Sequence, residues 1–267
     1  MTEAGASPEP PDRLAPWAGQ GLVGFVQRAR RDALEAAGLL DVRRLVDGKP
    51  GVYVEGDASR FVRRVDVGDG AILVKVTRPS GRAPRAVEEA HHHVALRAVG
   101  LGAPEPWLAI EGVHDRERVG VLVTRAPAGP SLRAWLQTAP PADARRQRAD
   151  DVGRAVRALH TARFAIPHMA AWNVALEPGR GLGSVTFTDL ASLRRLGRRM
   201  PLGAVARDLV ALDISFEGLA TERERLRALR AWLGGTLDKA RPWLRRLPKV
   251  RARLAGKPWL RPPPESA

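Results

Sequence analysis

A few residues in this sequence have the types and spacing to handle a phosphate and a divalent cation. Lys75, in Ala71-Ile72-Leu73-Val74-Lys75-Val76, is the only lysine between Lys49 and Lys239. Of the 44 basic residues 39 are Arg and five are Lys, so a lysine inside an apolar strand departs from the habit of the chain. A compact ammonium is a point charge suited to phosphate oxygens and to one acidic partner, where a planar guanidinium fits less well. Glu88 and Glu89, on the next helical stretch, are the acids within reach. Farther on, Asn173 and Asp189 bring carboxamide and carboxylate oxygens, the hard ligands a small divalent cation takes. Each alone is an ordinary turn residue; their joint placement matters, one after a helix and loop, the other ending a strand after a short hairpin. His168, five residues before Asn173, is an imidazole able to accept a hydroxyl proton near pH 7. Ser59, in Glu55-Gly56-Asp57-Ala58-Ser59-Arg60, is the side chain that, with backbone amides, would meet a phosphate in a turn carrying a single glycine.

The elements that must position these groups follow from periodicity and turn chemistry. Leu22, Phe25, Val26, Ala29 and Ala33 lie near helical spacing and predict a leading helix over Gly21 to Leu40. Gly51 to Glu55, Phe61 to Val67 and Ala71 to Thr77 read as strands, the last two joined across Gly68-Asp69-Gly70. Pro84 to Val99 reads as a helix and Val119 to Thr124 as a further strand. After Ala126 to Pro130 the pattern is mainly helical: Ala149 to Ala162 carries Val152, Ala155, Val156 and Leu159 on one face and delivers the loop holding His168. Strands Val174 to Leu176 and Val185 to Thr188 flank Glu177 to Ser184. Helices over Ala204 to Leu219 and Glu222 to Leu233 follow, the second opened by a capping box of Thr221 and Glu224. The expected organisation is a flexible tail over 1–15, a strand-rich domain over 16–126, a helical domain over 127–240 and a basic tail over 241–267. Asp208 is expected to brace the His168 loop from a buried helix. His91, His92 and His93 are adjacent on a helix and point in different directions, which makes them poor co-ligands for a metal.

Composition bounds the rest. With 267 residues and 44% apolar content the chain can bury one large core or two modest ones. The absence of cysteine excludes disulfides, thiol catalysis and cysteine-ligated zinc. No apolar run reaches membrane-spanning length and residues 1–15 lack a basic-then-apolar leader, so a cytoplasmic protein is expected. The formal charge of +15 suggests nucleic acid, but Arg-for-Lys usage beside abundant Ala, Gly and Pro reads as coding bias, and nucleic acid is not the expected partner. The exception is the tail, where Arg241, Arg245, Arg246, Lys249, Arg251 and Arg253 gather with Trp243 and Trp259; this implies peripheral contact with an anionic membrane face.

Leu159 to Asp189 resembles a protein-kinase catalytic loop, H-R-D-x-x-x-x-N followed by a metal-binding Asp at a strand end. Asn173 and Asp189 fit the two metal positions, while Ile166 and His168 stand in the His and Asp places. From Val52 to Leu233 the chain is similar to the bacterial lipopolysaccharide core kinases, the Kdo and heptose kinases. The landmarks are Lys75, Glu89 preceding Leu96, Gly100 and Ala103-Pro104-Glu105-Pro106, then Val121-Leu122-Val123-Thr124, Leu159-His160, Asn173, Asp189-Leu190 and Arg207-Asp208-Leu209-Val210-Ala211-Leu212. The resemblance implies an α+β, two-lobed protein-kinase-like fold with a small antiparallel-sheet amino-terminal lobe and a mainly helical carboxy-terminal lobe. It implies ATP and Mg2+ in the cleft, Lys75 and Glu89 positioning phosphates, Asn173 and Asp189 holding metal, and a sugar hydroxyl, small-molecule or lipid-linked, as acceptor. Glu89 is preferred over Glu88 by its distance from the Pro-x-Pro segment. The chain departs from that pattern at His168, at Arg125, where an acid is usual, and in its thin glycine turn. A pseudokinase that binds nucleotide or a partner without efficient turnover is the alternative these departures imply, and a basic anionic-surface-binding protein acting through Arg241 to Arg261 is a second.

Overall fold

The computed structural model describes residues 14–68, 70–78, 85–197, 201–235 and 241–261. The protein is mixed α+β and folds as two units. One comprises residues up to Val94 together with Glu105–Ala126; the other comprises Ala95–Pro104 and the chain from Pro127 onward.

The first unit is built on a seven-stranded antiparallel sheet. Its strands are β1 (Leu14–Gly19), β2 (Leu22–Gln27), β3 (Val52–Gly56), β4 (Arg60–Val67), β5 (Gly70–Thr77), β6 (Pro106–His114) and β7 (Glu117–Arg125), in the order β1-β2-β6-β7-β5-β4-β3. Two short helices, α1 (Arg31–Ala36) and α2 (Val42–Val46), follow β2, and α3 (Ala86–Ala98) follows β5. Strand periodicity sorts β5 onto two faces. Ile72, Val74 and Val76 enter a core with Leu34, Leu39, Val42 and Leu45 from the α1–α2 region, and Leu108, Ile110, Val121 and Val123 from the neighbouring strands. Lys75 stands on the opposite face, where Ala86 and Ala90 of α3 pack on Ala109 and Leu122. Alanines there bring α3 close to the sheet.

The expected leading helix over Gly21 to Leu40 is instead a β-hairpin, a 3-10 turn and the short α1. Gly19 pairs with Leu22, leaving a two-residue loop of Gln20 (φ 52°) and Gly21 (φ 82°). Positive φ at both positions defines the primed turn that matches strand twist, and glycine adopts it without a Cβ clash. The flexible tail expected over 1–15 is likewise corrected at its end, because β1 begins at Leu14; residues 1–13 lie outside the described residues. Strand β6 was not anticipated. The Gly68-Asp69-Gly70 turn includes Asp69, which also lies outside the described residues.

The second unit is mainly helical, with α4 (Leu132–Gln137), α5 (Ala142–Thr161), α6 (Leu202–Ser215), α7 (Glu222–Leu233), α8 (Arg241–Leu244) and α9 (Leu247–Leu254). It also holds a two-residue strand β8 (Phe164–Ala165), the hairpin β9 (Val174–Leu176) and β10 (Val185–Phe187), and β11 (Arg194–Arg195). Val152, Val156 and Leu159 of α5 anchor a core with Met169, Val174, Phe187, Leu190, Val205, Leu212 and Trp232. The basic tail expected from residue 241 is corrected: α9 packs on α6, with Val210, Ala211, Leu254 and Leu260 buried together. Pro248 sits in the first turn of α9, where its missing N–H is not needed. Among the described residues no helix is long and apolar enough to cross a membrane.

The Thr221–Glu224 capping box forms as expected. Glu224 also receives Arg145 in a bidentate pair at 2.6 and 2.7 Å. The Arg145 hydrogen bonds, followed by the Thr221 backbone and side chain, hold the Glu224 carboxyl down at about 2, against an ordinary value of 4.5. A depressed carboxyl contributes stability that is present above its unfolded value and lost as pH falls through its folded one. Glu224→Gln is therefore expected to cost about 1–2 kcal/mol at pH 7. In urea denaturation the gap between wild type and variant should narrow from pH 4.5 downward and close near pH 2. A gap that persists unchanged at pH 2 contradicts the charge-assisted account.

Candidate functional site

In the first unit, Lys75 and Glu89 form a closed ion pair. The Lys75 Nζ donates to both Glu89 carboxylate oxygens, at 2.8 and 2.7 Å. Their side chains are 14% and 5% exposed, so the pair is shielded from competing water and salt. The geometry follows from the fold: Lys75 is opposite Leu122 in the β5–β7 register, Leu122 packs against Ala86 and Ala90, and Glu89 lies beside Ala90 on the same inward side of α3. Glu88 is exposed and pairs with Arg85 at 3.1 Å. The choice of Glu89 over Glu88 thus matches the observed contact.

The turn joining β3 to β4 places Ser59 differently from expectation. The Asp57 Oδ1 accepts from the Ser59 amide (2.7 Å), the Ser59 hydroxyl (2.7 Å) and the Arg60 amide (3.0 Å). Those bonds, the Ser59 side chain first, hold the Asp57 carboxyl below its ordinary value. Gly56 at φ 125° closes the turn, and a Cβ there would lie 2.0 Å from the Arg60 carbonyl oxygen. A phosphate arriving at this turn meets a carboxylate already holding the donors that would bind it, and like charges repel. Ser59 is accordingly committed to Asp57.

The second unit assembles the remaining residues on two neighbouring loops. Strand β8 delivers the chain into Ile166, and β11 returns to pair with it, Arg194 opposite Ala165 and Arg195 opposite Phe164. Between them, Val174 pairs with Phe187 at the open end of the β9–β10 hairpin, and the Thr188 amide donates to the Asn173 carbonyl at 3.0 Å. Antiparallel pairing thus brings Asn173, just before β9, beside the segment that carries Asp189, just after β10. The Asn173 Nδ2 donates to the His168 carbonyl at 3.3 Å, leaving its Oδ1 oriented away from that contact. The far end of the hairpin is fastened by Asp151, a fully buried residue of α5 whose Oδ1 accepts from the Gly181 amide at 3.1 Å and from Arg154 at 2.6 Å. Nothing in its sequence context marked Asp151 for this role.

His168 is exposed at one edge, and its ring meets the Trp259 ring with centroids 4.6 Å apart. Its pKa is lowered from 6.5, first by partial desolvation; nearby Asp189 opposes the shift, while Arg207 and Arg194 reinforce it. The shift favours the neutral imidazole, the form in which it accepts a proton. The contact with Trp259, far along the chain, has no local sequence signal.

Asp208 braces this loop. Fully buried on α6, its Oδ2 accepts from the Ile166 amide at 2.8 Å and faces the His160 Nε2 at 3.1 Å. The Trp232 Nε1–H donates to the His160 Nδ1 at 3.0 Å, which makes Nδ1 the acceptor and assigns the proton to Nε2. The three histidines of α3 do not converge: His91 is exposed and tilts against Phe25, while His93 is buried. Among the described residues no group of three or more His, Asp or Glu can hold a metal.

No protein-family model matches the sequence, and no curated protein is significantly similar to it.

Proposed function

We propose that this chain is an ATP-dependent phosphotransferase of protein-kinase-like, two-lobed architecture, acting on a hydroxyl of a sugar or similar small acceptor. The observation that carries the reading is the shielded Lys75–Glu89 pair, an ammonium fixed on a sheet strand by a helix carboxylate. Phosphoryl transfer requires little covalent chemistry of the protein and depends on positioning and charge. Lys75, held by Glu89, has the chemistry to grip nucleotide phosphates. Asn173 Oδ1 and the Asp189 carboxylate fit Mg2+ as hard oxygen donors on adjoining chain segments, and the cation supplies neutralisation of phosphate charge. His168 takes the acceptor proton in place of a carboxylate. The spacing of Lys75, Glu89, Asn173 and Asp189, which resembles that of lipopolysaccharide kinases, is what suggests a sugar acceptor at the cytoplasmic face of the inner membrane.

Two features favour a second reading, nucleotide binding without efficient turnover: the Asp57 carboxylate in the β3–β4 turn and an imidazole where kinases carry a carboxylate. A general base contributes roughly 10²–10⁴ in rate, which separates the two readings. Calorimetric titration of ATP with and without Mg2+ is expected to show binding strengthened by the cation. ATP hydrolysis and transfer to sugar acceptors are then compared for wild type, His168→Ala and His168→Asp. A kinase with a working histidine loses about 10² or more in His168→Ala. A pseudokinase shows equal, negligible rates in wild type and His168→Ala, with gain only in His168→Asp. Absence of nucleotide binding in wild type defeats both readings.

A further inference from the structure

Helices α6 and α9 line a cavity of about 400 Å³ whose walls include Arg207, Arg246, Lys249 and Arg253, with Gly203, Val250 and Leu254 completing them. Among the described residues no acid lines it. Arg246, Lys249 and Arg253 recur at spacings of three and four, so they form one stripe of α9, and Arg207 meets them from α6. Among the described residues, none of these four side chains has an ion-pair or hydrogen-bond partner. The structure thereby separates cations that looked equivalent in sequence: Arg251 is bound to Asp213 and Glu217, whereas the cavity group has no ion-pair partner among the described residues.

Helix electrostatics favours Arg253, in the last turn of α9, but not the cations at the other end of that helix. Arg246 caps the amino end of α9 and Lys249 lies in its first turn, where the macrodipole disfavours cations. Four positive side chains sharing one concavity also repel each other. An anion placed among them removes both costs, and a phosphate offers several acceptor oxygens to guanidinium and ammonium donors. The place is informative too. Arg207 lies within electrostatic reach of His168, and the segment after α9 carries Trp259 onto the His168 ring.

We infer that the α6–α9 cavity binds a phosphate ester carried by the acceptor, with Arg207, Arg246, Lys249 and Arg253 gripping it beside His168. The attribution to the acceptor rests on the kinase reading; the phosphate site itself does not. The phosphate belongs either to a soluble sugar phosphate or to a lipid headgroup.

The test uses the full chain. Glucose 1-phosphate and inorganic phosphate are titrated by calorimetry, and sedimentation is measured with phosphatidylcholine vesicles with and without phosphatidylglycerol. Wild type, Arg207→Gln/Lys249→Gln and the control Arg245→Gln, an exposed neighbour outside the cavity, are compared after circular dichroism confirms their folding. Binding is expected to fall about tenfold or more in the double variant and to stay within about twofold in the control. Loss seen with glucose 1-phosphate identifies a soluble ester; loss confined to phosphatidylglycerol vesicles identifies a headgroup. The inference is overturned if wild type binds none of these probes, or if Arg245→Gln loses as much as the double variant. Phosphate binding without ATP·Mg2+ binding keeps the cavity and removes the kinase reading. ATP·Mg2+ binding without phosphate-ester binding does the reverse.

Discussion

Lys75→Met will abolish measurable ATP binding and, separately, destabilise the first unit; the double variant Lys75→Met/Glu89→Leu will recover the stability but not the binding. The two effects come apart because the pair is shielded. Removing Lys75 leaves a carboxylate in a site only 5% exposed without the cation that neutralises it, which costs about 3–5 kcal/mol. Replacing both partners by apolar groups of similar volume removes the desolvation penalty along with the attraction and is near neutral or stabilising. Ile72, Val74 and Val76 face the other side of β5, so the double variant leaves the main core of that unit untouched. A pair kept solely for structure predicts that the double variant behaves as wild type in every assay. A phosphate-gripping lysine predicts that both variants lose nucleotide affinity by about 10² or more, since a charge-assisted contact and its preorganisation disappear together. Urea denaturation gives the first quantity and calorimetric ATP titration the second. Recovery of ATP binding in the double variant would sink the assignment.

How much of this was readable in the sequence depends on whether a signal is local. Lys75 stood out because the chain otherwise writes Arg, and the strand around it is set by β-branched and apolar residues that no helical spacing imitates. The α5 helix and the β9–β10 hairpin follow from periodicity and from a polar turn. The first hairpin was misread because Leu22, Phe25, Val26 and Ala29 imitate helical spacing, while its turn is Gln20-Gly21 rather than an Asp-Gly or Asn-Gly pair. Strand β6 escaped notice because Pro106 to Ile110 are all buried, so the two-residue alternation that marks a half-exposed strand is missing. The α9 helix has no clear signal in the sequence, because a proline near its start reads as a breaker unless its place in the first turn is known. Within the candidate site, chain spacing was readable and spatial neighbours were not. His168 could be found from its distance to Asn173, but Trp259 against it, Arg207 near it and Asp57 across the Ser59 amide are products of packing.

The brace under the His168 loop leads to a loss of stability as large as that expected for Lys75→Met. Asp208→Ala removes the acceptor of two buried donors, the Ile166 amide and the His160 Nε2–H. Each orphaned buried donor costs about 1–3 kcal/mol, and the deleted volume adds a cavity, for a total of about 3–5 kcal/mol. His160 has no easy rearrangement, because the Trp232 indole N–H fixes its Nδ1 as an acceptor and moving the ring proton would set two donors face to face. Asp208→Asn separates charge from shape. Its carbonyl oxygen can take the Oδ2 place and accept both donors, while its amide falls where Oδ1 has no hydrogen-bond donor. The cost should therefore be about 1–2 kcal/mol, the loss of charge assistance plus one unsatisfied amide. Because Ile166 is two residues before His168, a loosened brace also lets the loop drift, and for the proposed transfer a misplacement by about 1 Å costs about 10² in rate. Chemical denaturation should rank Asp208→Ala well below Asp208→Asn and wild type. Trp232→Phe, which frees the His160 tautomer without touching Asp208, should make Asp208→Ala less costly when the two are combined. Strict additivity of those two substitutions would show that the three residues do not act as one network.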